Sequence, residues 1–263
     1  MGRTGKGISL VNKKNKERFM KHKDVYAIAF IPAKTDSTRL KKKNLRVIAG
    51  KTLVEHTIEY ALDSEYIRDI IVSTESDEIA ELCKKYNHVK VYSRPEHLMK
   101  DAEVADVYVD IFQKQFKKYG EWRIPQMATH VVALQPDNPD RNHKIDTVIN
   151  YFVDNTYDDL VTVGKDGTRN GASRITKARY VKDGSMSRRM GTYLDDCTNI
   201  HSENDLLKAG QNIEGNTLPF DFDEDERNKR MDIIGQNGPT GVHYGEEEGD
   251  EGLYPWHTNE EED

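Results

Sequence analysis

Apolar residues occur in short, nearly continuous runs separated by stretches where they recur every three or four positions. Val25–Ile31 (VYAIAFI) is almost unbroken, as expected of a strand buried on both faces of a parallel sheet. After a polar stretch, Leu53, Ile58, Ala61 and Leu62 share one helical face. Asp69–Val72 (DIIV) predicts a second strand, and 78–86 a helix with Ile79, Leu82 and Cys83 on one side. Val89–Tyr92 predicts a third strand, followed by a helix through Val104, Val107, Tyr108, Ile111 and Phe112. Val131–Leu134 (VVAL) predicts the fourth, Ile145, Val148, Ile149 and Phe152 the next helix, and Leu160–Val163 (LVTV) the fifth strand. Short strands alternating with 10–15-residue helices are repeated βαβ units, so the predicted fold is α/β, a mostly parallel sheet covered on both faces. Residues 164–200 lose the alternation and are expected to form a small accessory subregion beside that sheet. Ser202–Ala209 predicts a last helix with Ser202 as its N-cap.

Charge sharpens the boundaries. The 263 residues carry 39 Lys+Arg and 46 Asp+Glu, but residues 1–23 hold 8 basic and 1 acidic side chain, and residues 211–263 hold 16 acidic and 3 basic. The centre is close to neutral. The expected organisation is a disordered basic arm over 1–23, a folded domain over 24–210 and an acidic, mostly disordered tail over 211–263, in which Tyr254 and Trp256 are the residues able to dock. No run approaches the ~20 apolar residues of a membrane span. The basic arm has no apolar stretch of a secretory leader. Cys83 and Cys197 are too few for a disulfide framework, so a cytoplasmic setting is expected. Gly2, Gly5 and Gly7 beside Lys6 echo a phosphate loop, but neither the preceding strand nor the G-K-[ST] ending is there. Without aromatics interleaved on a basic face, nucleic acid is not an expected partner.

In open α/β sheets, ligands bind outside the carboxyl ends of the strands, and three loops there carry chemistry. The loop after the first strand, 31–44, holds Lys34, Arg39, Lys41, Lys42 and Lys43 with hydroxyls at Thr35, Ser37 and Thr38. Amides, hydroxyls and fixed cations in one loop suit a triphosphate. The alternative is a solvated basic loop, which its place behind the first strand disfavours. The loop after the fourth strand, Leu134–Arg141, offers Asp137 as an oxygen ligand for Mg²⁺ or, equally from spacing, as a turn residue capping the next helix. After the third strand, Arg94 either reaches a nucleotide or acidic sugar, or is an ordinary surface arginine.

These residues, read in order, resemble a family. Ile31-Pro-Ala-Lys-x-x-Ser-x-Arg-x-x-x-Lys-Asn44, Gly50-Lys51-Thr-Leu, Ser93-Arg-Pro95, Leu134-Gln-Pro136 and Asn170-Gly-Ala172 are similar to the cytidylyltransferases that activate acidic sugars, the CMP-sialic acid and CMP-Kdo synthetases. The likeness runs from Tyr26 to Ala209, about 70% of the chain. It implies a Rossmann-like, three-layer nucleotidyltransferase fold. It also implies nucleotide contacts from Ala33, Lys34, Ser37, Arg39, Lys43, Asn44, Arg94 and Gln135, and substrate contacts from Gln135 and Asn170. Lys34, Arg39, Lys43 and Asp137 become the catalytic set. Asp137 matches a metal-binding aspartate of the CMP-Kdo branch, and His201 is either a second ligand or a structural histidine before the last helix. Lys34 stands where the family normally has Arg, a point charge for a planar fork. Asn199 and His201 stand where carboxylates are common, with Asp195 and Asp196 just upstream as substitutes.

The activity implied is transfer of CMP from CTP to an acidic 2-keto-3-deoxy sugar with Mg²⁺ as cofactor and release of pyrophosphate. A homodimer is the assembly that fits the resemblance. The stretch 135–170 is short beside the sialic acid synthetases, which leaves the sugar and the oligomeric state open. Two alternatives stand beside this reading: a nucleotidyltransferase using another nucleotide or sugar, and a degenerate relative that binds nucleotide without transfer.

Overall fold

The structure is a computed structural model, and it describes residues 22–35, 37, 39–98, 106–111, 113, 128–183 and 189–215. The strands are β1 (Ala27–Pro32), β2 (Val47–Ile48), β3 (Lys51–Thr52), β4 (Ile67–Thr74), β5 (Val89–Ser93), β6 (His130–Ala133), β7 (Asp159–Val163), β8 (Arg169–Lys177) and β9 (Met190–Leu194). The helices are α1 (Leu53–Leu62), α2 (Asp77–Cys83), α3 (Ile145–Asp154), α4 (Ala178–Asp183) and α5 (Glu203–Gly215), with a further helical stretch at 106–111.

Seven strands form one sheet in the order β5-β4-β1-β6-β8-β7-β9, and β2 and β3 make a separate two-stranded ribbon. β1 lies in the interior of the sheet, parallel to β4 (Phe30 opposite Ile71) and to β6 (Phe30 opposite Ala133). Its alternation explains the unbroken apolar run. Ala27, Ala29 and Ile31 pack towards α1, α2 and α3 through Val54, Ile58, Ile79, Val148 and Phe152. Ile28 and Phe30 pack on the other face against Val107, Tyr108 and Ile111. A residue needs no polar side when both faces are covered. A third, smaller core of Leu40, Ile48, Leu53, Ile200, Leu206, Ala209 and Ile213 ties α5 and the ribbon to the chain after β1.

Two expectations are corrected. Residues 164–200 do not sit beside the sheet: β8 and β9 are strands of it. β8 runs antiparallel between β6 and β7, reached by a turn with Gly167 at φ 78°. Its sequence hides the strand because the positions facing away from the α1–α3 core are polar. Arg174 Nε and Nη2 donate to the Asp159 carboxylate at 3.0 and 2.5 Å, and Thr176 Oγ1 donates at 2.9 Å. Charge pairing across strands replaces the apolar alternation that signals a strand. The last helix runs to Gly215, five residues into the stretch assigned to the tail. Ser202 does cap it: the Asp205 amide donates to Ser202 Oγ at 3.3 Å, and Asp205 Oδ2 accepts from the Ser202 amide at 2.8 Å. The basic arm up to residue 21, the tail from 216, and the helix positions Val104 and Phe112 lie outside the described residues.

Candidate active site

β1 delivers the chain into the site. The Ala33 amide extends the ladder by donating to Ser73 O at 2.9 Å, so Ala33 is buried and its amide is spent on β4. The chain then loops out and is pulled back: Asn44 Nδ2 donates to Lys34 O at 2.7 Å, and Ser37 Oγ accepts from the Leu40 amide at 3.4 Å. Lys42 takes a left-handed conformation (φ 51°) and opens a 3-10 turn over Lys43–Leu45. That turn aims Lys43 inward. Its Nζ donates to Asp137 Oδ2 at 2.6 Å and to Ile200 O at 3.3 Å, with the two side chains 14% and 21% exposed.

The result is a cleft of about 140 Å³ whose walls include Lys34, Ser37, Lys43, Asn44, Arg94, Gln135 and Asp137. Seven of the residues expected at the site, drawn from three loops, therefore meet in one place. Ligand pockets usually span ~300–1,000 Å³, so this cleft holds part of a nucleotide, its phosphates above all. Arg94 is not an ordinary surface residue. It is buried, its Nε and Nη2 donating to Ser73 Oγ at 3.3 Å and Ser73 O at 3.2 Å. Burial works against its charge, and Glu75 nearby offsets that.

Four expected residues lie differently, the first being Ala33, buried and with its amide already spent on β4. Arg39 turns away from the cleft wall, its Nη1 2.9 Å from His201 Nδ1. Asn170 uses both ends of its amide internally: Oδ1 accepts from Thr162 Oγ1 at 2.7 Å and the Ala172 amide at 3.1 Å, and Nδ2 donates to Asp195 O at 2.5 Å. Its neighbour Gly171 (φ 74°) is needed for close approach, since a Cβ there would lie 2.8 Å from Gln135 Nε2. The Asn-Gly-Ala segment thus backs Gln135 rather than lining the cleft with Asn170. His201 sits at an exposed position on the Arg39 pair.

Beneath the cleft lies a network that sequence reading missed. Asp140 is buried and accepts from the Thr198 amide and Thr198 Oγ1, both at 2.8 Å, and from Asn212 Nδ2 at 2.7 Å. Asn138 Nδ2 donates to Thr198 O at 3.1 Å, and the Ile200 amide to Asp137 O at 2.9 Å. Asp195 is fully buried and accepts from the Asn142 amide at 3.0 Å, and burial pushes its carboxyl above the usual range. Segments 137–142 and 195–200 are zipped together in this way. The only sequence signal was charge placed between predicted elements.

Of the substitutes considered for missing carboxylates, Asp195 faces this network and Asp196 pairs with Lys165 at 2.7 Å. Among the described residues there is no group of three or more His, Cys, Asp or Glu side chains poised for a metal. Asp137 alone fits an ion held mostly by phosphate oxygens and water, because Mg²⁺ takes one or two carboxylates in such sites. Lys43 takes only one of its two oxygens. Burial pushes the Cys197 and Cys83 thiols up to about 12, which keeps both protonated and unsuited to attack.

A mostly parallel sheet with cation-bearing loops gathered at the carboxyl ends of β1, β5 and β6 is a Rossmann-like arrangement with a phosphate-sized site where such sheets bind ligands. Residues 28–214 match the family model described as Cytidylyltransferase, and the chain belongs to that family. It is 37% identical over 114 residues to the CMP-N,N'-diacetyllegionaminic acid synthase of Legionella pneumophila, covering 43% of this chain and 47% of that one. It is 35% identical over 95 residues to the 3-deoxy-manno-octulosonate cytidylyltransferase of Koribacter versatilis, covering 33% and 36%. The chain thus spans half or less of the length of these relatives. A cytidylyltransferase structure from Leptospira borgpetersenii superposes with a TM-score of 0.56 over 81% of this chain and 95% of its own, at 18% identity, a likeness of fold. No helix among the described residues is long and apolar enough to cross a membrane.

Proposed function

We propose that this chain transfers CMP from CTP to an acidic 2-keto-3-deoxy sugar and releases pyrophosphate. The observation that carries the reading is the Lys43–Asp137 contact at 2.6 Å in a cleft that also presents Lys34, Arg94 and Gln135. Cations alone would suit any anion, and a carboxylate alone would repel one. A carboxylate held by a lysine is a site prepared for a phosphate chain together with a divalent cation.

In this reading the anomeric hydroxyl of the sugar attacks the α-phosphorus in line. The new O–P bond forms as the bond from that phosphorus to the β-phosphate bridging oxygen breaks, and the hydroxyl proton passes to water. Lys34 and Lys43 meet the charge that grows on the departing pyrophosphate. Mg²⁺, bound through Asp137, would neutralise and orient the phosphates. Gln135, resting on Gly171, places an amide at the boundary between nucleotide and acceptor. Beyond Leu98, a wall common to both, lies a cavity of about 600 Å³ with Ala133, Arg174 and Tyr180 in its lining, large enough for a nine-carbon sugar. A cytoplasmic setting and a homodimer complete the proposal. The open edge of the sheet at β9, where Met190 and Leu194 are exposed, offers an apolar surface for the latter.

The test is pyrophosphate release from CTP and Mg²⁺ with Kdo, N-acetylneuraminate and related nonulosonic acids, against UTP and ATP controls. Release with CTP and one sugar is expected. CTP binding without release across the panel would favour the second reading, nucleotide binding without transfer. Absence of CTP binding would overturn both.

A further inference from the structure

Arg141 is among the largest fully buried side chains, and no carboxylate lies within ion-pair distance among the described residues. Its guanidinium is used on backbone instead. Nη2 donates to Gln135 O at 2.7 Å, Nε donates to Ala172 O at 3.0 Å, and Cζ lies 4.7 Å from the Tyr60 ring centroid. Among the described residues Nη1 finds no hydrogen-bond partner, and neither does Asp195 Oδ2, whose charge, like that of Arg141, acts on the Tyr60 hydroxyl. Burying a cation on two carbonyls and a ring is costly, and an apolar side chain of like volume would fill the space at lower cost. What an apolar residue cannot do is hold two carbonyls from separate segments in a fixed plane.

Those two carbonyls flank one contact. Gln135 and Ala172 stand on either side of the approach of the Gln135 amide to Gly171, where less than 3 Å separates the amide from the place of a Cβ. We propose that Arg141 is a positioning residue for the transfer reaction: by bridging Gln135 O and Ala172 O it fixes the Gln135 side chain against Gly171, and so the place where the acceptor meets the nucleotide. Asp195 supplies the balancing charge through space. The kinetic consequence rests on the function proposed above; the structural one does not.

The test is Arg141→Lys, which keeps the charge and gives up the fork. With the fold retained by thermal melting, the side-chain amide signal of Gln135, identified by its loss in Gln135→Ala, is expected to shift or broaden in the ¹H–¹⁵N spectrum. In the transfer assay kcat is expected to fall about 10²-fold, as for a reacting group displaced by ~1 Å, while CTP affinity stays within about two-fold because Lys34 and Lys43 are untouched. In a Gln135→Ala background the same substitution should add almost nothing, since residues acting through one another are not additive. A folded Arg141→Lys with an unmoved Gln135 signal, or a fully additive double variant, would overturn the proposal. If the native chain releases no pyrophosphate with any sugar, the transfer reading fails and the Gln135 signal still decides this one. Should Arg141→Lys not fold, Asp195→Asn keeps an acceptor for Asn142 and removes the balancing charge; it should move the same signal, and a stationary signal there would count against the proposal equally.

Discussion

The cleft and the network beneath it are built from the same residue types and behave oppositely. In the cleft, Lys43 and Asp137 pair side chain to side chain at partly solvated positions. Such partners can be exchanged, because a phosphate oxygen replaces a carboxylate oxygen at little cost when both members can still reach water. Beneath, Asp140, Arg141 and Asp195 are buried, and each is bonded to at least one backbone group. Their partners cannot leave without stranding a polar group. The upper layer is therefore suited to trade ligands and the lower one to keep the loops of β6 and β9 in register. Substitutions in the first should alter turnover and spare stability; those in the second should lower stability, and reach turnover only where, as at Arg141, the network holds Gln135.

Lys43→Ala offers the sharpest separation. Losing one preorganised cation at developing charge should lower kcat/KM about 10²–10³-fold, with the melting temperature moved by no more than a degree or two. A variant that instead unfolded would place Lys43 in the frame. Asp140→Ala should do the converse. It removes an acceptor for the buried Thr198 amide, for Thr198 Oγ1 and for Asn212, and is expected to cost about 4 kcal/mol in chemical denaturation. Unchanged stability would show that the zipper is ornamental and break the contrast.

How far sequence reading reached follows the same division. The parallel half of the sheet was legible because burial on both faces forces continuous apolar runs in β1, β4 and β6. Lys34, Ser37 and Lys43 stood out because loops at strand ends have few structural reasons to concentrate cations and hydroxyls, Asp137 as a carboxylate at a strand end and Gln135 by resemblance alone; the structure gathers all five at one cleft. β8 was not, since Arg174 and Thr176 satisfy Asp159 across the ladder and erase the period-two pattern. Asp140, Arg141 and Asp195 were not, since a buried charge bonded to backbone looks in sequence like any surface charge. Asn170 was placed near the substrate by resemblance, and the structure gives its amide to Thr162, Ala172 and Asp195.

A pH titration extends the comparison to the sheet itself. His130, on β6, is buried edge-on against Phe152 at 5.4 Å with Nδ1 2.7 Å from Thr129 Oγ1, and burial lowers its pKa to about 4 from an ordinary 6.5. The folded state thus holds it neutral while the unfolded chain gains a proton below pH 6.5. Stability is full above that pH and falls as the pH drops towards 4, by about 3 kcal/mol. Denaturant midpoints measured between pH 7.5 and 4 should show this loss, and His130→Gln should flatten it. A slope unchanged by that substitution would assign the acid sensitivity to other groups.

The smallest effect tests how the loop after β1 is supported from the side. Thr52 and Glu55 form a capping box at the start of α1: the Glu55 amide donates to Thr52 Oγ1 at 3.2 Å, and the Thr52 amide donates to Glu55 Oε2 at 2.8 Å. The next residue, Leu53, donates its amide to Arg46 O at 3.1 Å, so the cap also anchors the chain leaving the Lys43 turn. Thr52→Ala should cost about 1 kcal/mol, the usual worth of a lost cap. The loop is held independently by Asn44 on Lys34 O and by Leu40 in the small core with α5. CTP affinity is accordingly expected to stay unchanged in calorimetric titration. A parallel loss of affinity would mean that the cap carries the register of the phosphate-binding loop, and the boundary between exchangeable layer and frame would then run through α1 rather than beneath it.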